Sequence, residues 1–129
     1  MNRPCLLDSS FVIDLLNEVA DGVAGPAMAW LRKNPRARLW ISPVTFAEVL
    51  EGAENVDAVR AHLQRYRWQG LHHRQAELAA LLQRRSERRM GENDAWQAAT
   101  AMVMKGVVVG HDPNAFGRLG EAYCDHRIG

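Results

Sequence analysis

Cysteine is nearly missing from this chain, and the two that occur, Cys5 and Cys124, stand near opposite ends with no CxxC spacing. Cys5 falls in an apolar strand pattern with no evident base beside it, so disulfide frameworks, thiolate metal sites and thiol catalysis are all poorly served. Long hydrophobic runs are also lacking. None approaches the ~20 apolar residues that cross a bilayer, and no basic N-terminal segment leads into a long apolar one. The expectation is a soluble, cytoplasmic protein with no membrane association. Repeats, low-complexity tracts and linker-like stretches are absent too, so 129 residues at 47% hydrophobic content are expected to form a single domain, 1–129, around one core.

Lysine is scarce as well: Lys33 and Lys105 stand against 14 arginines, at a formal net charge of +1. Arginine's planar fork suits phosphate and carboxylate. Clusters at Arg32-Lys33-Arg36-Arg38, Arg60-Arg65-Arg67 and Arg84-Arg85-Arg88-Arg89 are either patches for a phosphodiester backbone or solvated helix faces. The four tryptophans, Trp30, Trp40, Trp68 and Trp96, are read as core or interface residues, with base stacking as the alternative. His72 and His73 make a poor metal-ligand pair, because adjacent side chains diverge on a strand and on a helix alike.

What is present is a series of short apolar strands and amphipathic helices. Pro4 to Leu7 reads as a buried strand ending at Asp8, with a helix from Ser10 to Leu16 on which Asp14 and Glu18 look exposed. Asp21-Gly22 marks a turn, and Pro26 to Lys33 a second helix. Leu39 to Ser42 is a second strand. Ser42-Pro43 then opens a helix as cap and first residue, carrying Glu48 and, on the bordering face, Glu51 as a supporting group, and stopping near Gly52. Val56 to Tyr66 and Gln75 to Arg89 follow as helices, and Gly70-Leu71-His72 as a short strand or a connection. Asp94 to Met104 is a helix rich in small residues. Val107-Val108-Val109 is the clearest strand, its unbroken apolar run calling for cover on both faces. It leads to Asp112, a short helix from Asn114 to Leu119 and a tail through Tyr123 that adds an edge strand.

Two strands thus end in aspartate, at Asp8 and Asp112, while Glu48 and Asp94 sit early in helices. In a parallel sheet, strand C-termini and the N-termini of the following helices face one rim. Each carboxylate alone has a structural explanation, since Asp8 and Asp94 suit helix caps and Glu48 complements a helix dipole. Four on one rim would repel one another unless cations were bound. Hard oxygen ligands fit Mg2+ or Mn2+ better than zinc. The Arg84–Arg89 end approaches Asp94, where guanidinium groups meet either a substrate phosphate or the acidic residues.

The stretches Leu6-Leu7-Asp8-Ser9-Ser10, Ser42-Pro43-Val44-Thr45-Phe46-Ala47-Glu48-Val49, Asn93-Asp94-Ala95-Trp96-Gln97-Ala98-Ala99 and Val107-Val108-Val109-Gly110-His111-Asp112, in this order, resemble the PIN domain of VapC-type toxin ribonucleases. The resemblance implies a three-layer α/β/α fold with a short, mainly parallel sheet. It further implies an acidic metal site of Asp8, Glu48, Asp94 and Asp112, with Mg2+ or Mn2+ as cofactor. The activity implied is endoribonucleolytic hydrolysis of RNA, with a small antitoxin as partner and a homodimer as assembly. The chain departs from the family where many relatives carry Thr or Ser two residues before the last aspartate, here Gly110, and Asn two residues after the first, here Ser10. A lost hydroxyl at Gly110 would weaken metal binding or activity by ~10–100-fold. His111 is read as a surface histidine, with phosphate contact as the alternative.

Gly110 also favours a rival reading, a PIN-fold module that binds RNA or protein without cleaving. A phosphoacceptor domain of the receiver type fits less well, since it needs a lysine at a late strand end and Lys105 precedes the last clear strand.

Overall fold

A computed structural model describes residues 2–128. Its strands are β1 (Cys5–Leu7), β2 (Leu39–Ile41), β3 (Arg67–Trp68), β4 (Val107–Gly110) and β5 (Tyr123–Asp125). They form one sheet in the order β3-β2-β1-β4-β5, with every neighbouring pair parallel. Parallel neighbours need crossover connections. Helices α1 (Ser9–Asp21), α2 (Pro26–Lys33), α3 (Pro43–Glu51), α4 (Val56–Leu63), α5 (His73–Arg85), α6 (Glu92–Met104) and α7 (Pro113–Phe116) supply them, with a 3-10 turn at Gly117–Ala122.

Alternation along the strands sorts side chains onto two faces. Cys5, Leu7, Ile41, Val107 and Val109 pack with Phe11, Val12, Trp30 and Val49 from α1, α2 and α3. Leu6 and Val108 face the other way, onto Ala101, Ala115 and Phe116 from α6 and α7. The fold is therefore a three-layer α/β/α sandwich, and the fully buried Val107–Val109 run is covered on both faces as its sequence demands. Phe11 is wholly buried at the α1 layer, so Phe11→Ala would cost about 3–5 kcal/mol through lost burial and a cavity. Helix α5 packs on α6 through Ala79, Ala95, Ala98 and Ala99, small residues that admit close approach.

The local chemistry of the helix ends follows the sequence. Ser42 caps α3 by accepting from Val44 N at 3.2 Å, with Pro43 as the first helical residue. Gly22 ends α1 in the left-handed region at φ 68°, where a side chain would be strained.

Several expectations need correction. Glu18 is buried, not exposed: its carboxylate accepts from the backbone N–H groups of Gly25 (2.7 Å), Ala27 (3.0 Å) and Met28 (2.9 Å), closing the start of α2. Asp14 is held by Arg127 and His126 from the C-terminal tail. Helix α5 stops at Arg85 with Ser86 as its C-cap, which leaves Arg88 and Arg89 in the loop before α6. Gly70-Leu71-His72 is a connection, the third strand being Arg67–Trp68, and the tail strand β5 does form at the sheet edge. Among the described residues, no helix is long and apolar enough to cross a membrane.

The order of strands reverses direction between β1 and β4. From β1 the chain moves out through β2 to β3, then returns to the other side of β1 for β4 and β5. That reversal opens a crevice at the C-terminal ends of β1 and β4, the usual ligand position in open α/β sheets.

Candidate active site

Asp8 and Asp112 flank this crevice, each directly or closely following a strand. Asp8 is 6% exposed and caps α1, its Oδ2 accepting from Ser10 N (3.3 Å) and Ser10 Oγ (2.7 Å). Asp112 caps α7 by accepting from Ala115 N at 3.1 Å, and its own N–H donates to the Tyr123 hydroxyl at 3.1 Å. Capping and rim position therefore coexist in both residues. Asp94 differs. The N-cap of α6 is Gly91, which puts Asp94 in the first turn with no cap hydrogen bond and favours its charge through the helix dipole. Gly91 leaves room for it, since a Cβ there would lie 2.9 Å from Asp94 Oδ2.

Electrostatics link the acidic residues to one another. Burial pushes the Asp8 carboxyl above the usual carboxylate range, the Ser10 hydrogen bonds pull it back, and the Asp112 charge pushes it up further. Glu48 is raised by burial, then by the charge of Asp8, with that of Asp94 adding to the rise against hydrogen bonds from Asn93 and Ser9. Asp94 is raised by burial and by Asp112 and Asp8. Burial with like-charge neighbours is the pattern of a concentrated acidic site. Glu51 is exposed and takes no part. Among the described residues, no group of three or more His, Cys, Asp or Glu side chains forms a ready metal-ligand cluster. The donor set is nonetheless all carboxylate oxygen, which suits a hard divalent cation.

Buried polar side chains hold the carriers of these carboxylates together. The Ser42 hydroxyl donates to Gln97 Oε1, Gln97 Nε2 donates to Thr45 Oγ1 at 2.9 Å, and Thr45 Oγ1 donates to Leu7 O at 2.8 Å. This chain joins α6, which bears Asp94, to α3, which bears Glu48, and to the residue before Asp8. Sequence reasoning took Ser42 for a cap alone and passed over Thr45 and Gln97. The available signal was one long amide, Gln97, in a run of alanines.

Arg88, Arg89 and Arg118 line the same cleft as Asp94 and Asp112. Arg118 Nη1 donates to Ser86 Oγ (3.1 Å) and Arg88 O (3.2 Å), fixing the loop that carries the other two. Arg84 and Arg85 end α5 and are not among the cleft's lining residues. His111 is half-exposed, its Nδ1 3.0 Å from both oxygens of Asp125, so it is more firmly held than a free surface histidine. His72 serves as N-cap of α5, and the Cys5 thiol is pushed up to about 11 by burial. Neither has a place in this site.

A family model described as the PIN domain matches residues 5–122. The chain belongs to the PIN-domain family. No match is found among curated proteins. Among solved structures, this PIN domain is similar to a toxin-antitoxin complex from Klebsiella pneumoniae, with TM-score 0.79 and 21% identity over 95% of this chain and 97% of that one. It is also similar to VapBC-1 from nontypeable Haemophilus influenzae (TM-score 0.71, 20% identity, 95% and 97% covered). FitAcB from Neisseria gonorrhoeae gives TM-score 0.78 at 17% identity, with 97% and 99% covered. At these identities the likeness establishes a shared fold, carried from end to end of each chain.

Proposed function

We propose that this PIN domain is a divalent-metal-dependent endoribonuclease, the toxin half of a cytoplasmic toxin–antitoxin pair. The observation that carries the reading is the set of mutually repelling carboxylates at the β1/β4 crevice, with Asp8, Glu48 and Asp94 all raised by burial and by their acidic neighbours. A protein tolerates such a cost where a cation relieves it. Asp8, Asp94 and Asp112, with Glu48 beside them, would hold Mg2+ or Mn2+. A bound ion of this kind supplies positive charge against the scissile phosphate and Lewis acidity toward water. The protein's part is geometry: the Ser42–Gln97–Thr45 chain fixes α3 against α6, and Arg88, Arg89 and Arg118 offer guanidinium groups to the flanking RNA backbone.

The antitoxin partner is proposed from the similar solved structure of a toxin–antitoxin complex and from the VapC-type resemblance. A homodimer is proposed from the family resemblance. A short reading frame for a small DNA-binding protein immediately upstream, whose product copurifies with this chain, is the expected genetic signature. The rival reading, a PIN fold that binds without cleaving, draws on Gly110, which brings no hydroxyl of its own to the end of β4. Titration calorimetry separates the two: the nuclease binds Mn2+ and loses that binding in Asp94→Asn, whereas a non-cleaving adaptor binds RNA with no dependence on metal.

A further inference from the structure

A hydroxyl from α1, the helix that follows the neighbouring strand β1, stands beside Gly110 at the end of β4. Ser10 Oγ lies 2.7 Å from Asp8 Oδ2 and 2.8 Å from His111 N. The direction of both bonds is fixed, because a backbone N–H can only donate. The hydroxyl therefore accepts from His111 and spends its one proton on Asp8. It closes a bridge between the head of α1 and the turn after β4, residues 101 apart in sequence.

Gly110 is the other half of this arrangement. A Cβ there would lie 2.6 Å from Asp8 Cβ, 2.8 Å from Ser10 Oγ and 3.1 Å from Asp8 Oδ2. The first contact is with an atom one bond from the backbone, which no rotamer change relieves. A side chain on β4 and the Ser10 hydroxyl compete for one volume, and in this chain Ser10 occupies it.

We infer that Ser10 is the positioning residue of the acidic site, holding the Asp8 carboxylate against the β4–α7 turn in the space that Gly110 leaves open. Ser10 does not touch the reacting atoms. It acts through Asp8, by limiting rotation of the carboxylate and by donating to its charged form. The inference rests on the metal-site reading above only for its effect on cation binding, since the bridge itself is made by Ser10, Asp8 and His111 alone.

The test pairs a metal readout with a metal-free one, on the full chain carrying Ser10→Ala or Ser10→Thr. Titration with Mn2+ alone should show affinity about 10–100-fold weaker for Ser10→Ala and within about threefold of wild type for Ser10→Thr, which keeps the hydroxyl. Exchange of the His111 amide, followed by NMR without metal, should be about 5–10-fold faster in Ser10→Ala and unchanged in Ser10→Thr. If Ser10→Ala does not fold, Ser10→Cys takes its place, with a weaker donor of similar shape and the same direction of loss expected. Wild-type Mn2+ affinity in the hydroxyl-free variant overturns the inference. If wild type itself binds no Mn2+, the metal-site reading fails and the amide decides alone: faster exchange only without the hydroxyl upholds the bridge, and unchanged exchange overturns it.

Discussion

Gln97 Nε2 donates to Thr45 Oγ1 at 2.9 Å, a buried bond that fastens α6 to α3 across 52 residues of sequence. Both side chains are almost wholly excluded from solvent. Removing the amide leaves the buried Ser42 hydroxyl without its acceptor, takes one donor from Thr45 Oγ1, which still donates to Leu7 O, and opens a void among small residues. Gln97→Ala should therefore cost about 2–4 kcal/mol, read as a lowered urea midpoint at unchanged slope. A change below ~0.5 kcal/mol would show that the network is not stressed by the loss.

Gly110 admits no side chain. Gly110→Ala sets a Cβ against Asp8 Cβ, so β4 or Asp8 must move. The expected outcome is about 1–3 kcal/mol of lost stability, as for overpacking elsewhere, together with weaker Mn2+ binding. Thermal unfolding of the variant with and without Mn2+ measures both, and a variant as stable and as responsive as wild type would mean that the site accommodates a Cβ freely.

Asp94 should stabilise the metal-free protein when its charge is removed. Its folded carboxyl is raised by burial and by the charges of Asp112 and Asp8, so the charged form carries a cost above the folded pKa that fades as pH falls through it. At neutral pH, Asp94→Asn should raise the metal-free Tm by roughly 2–6 °C while abolishing the further rise that Mn2+ gives to wild type. A fall in Tm without metal would contradict the repulsive picture.

The tail latch gives the opposite pH dependence. Asp14 takes a bidentate pair from Arg127 (2.9 Å each) and lies 2.7 Å from His126 Nε2. These hydrogen bonds, that of Arg127 first, hold its carboxyl below the usual range against an opposing effect of burial. A depressed folded pKa stabilises fully above the unfolded value of about 3.9 and is lost as pH falls through the folded value. Asp14→Asn should thus cost about 1–2 kcal/mol from neutral pH down to about pH 5, allowing for the part-exposed Arg127, and progressively less below pH 4. Urea denaturation at stepped pH checks it, and a cost that grows toward acid would refute the assignment.

The fold was largely legible because its signals are local. Val107–Val109 announces a strand covered on both faces, Ser42-Pro43 a helix start, and Pro26 to Lys33 a helix that the structure reproduces residue for residue. The family was legible too, since the PIN model spans the four stretches that carried the resemblance. What escaped was set by topology. Glu18 looked exposed because its three N–H donors lie in the next turn, and Asp14 because its partners sit more than a hundred residues away. Gly110 read as a missing hydroxyl until the neighbouring helix set Ser10 Oγ in that space. Helical or strand periodicity reports which face a residue takes, and says nothing of which distant group will meet it there.

RNA cleavage in Mn2+ by wild type and by Asp8→Asn, each with and without excess chelator, tests the proposed chemistry most directly. Metal-dependent cleavage by wild type, halted by chelator and absent from a folded Asp8→Asn, is the predicted result. Undiminished cleavage in chelator, or by Asp8→Asn, would contradict it.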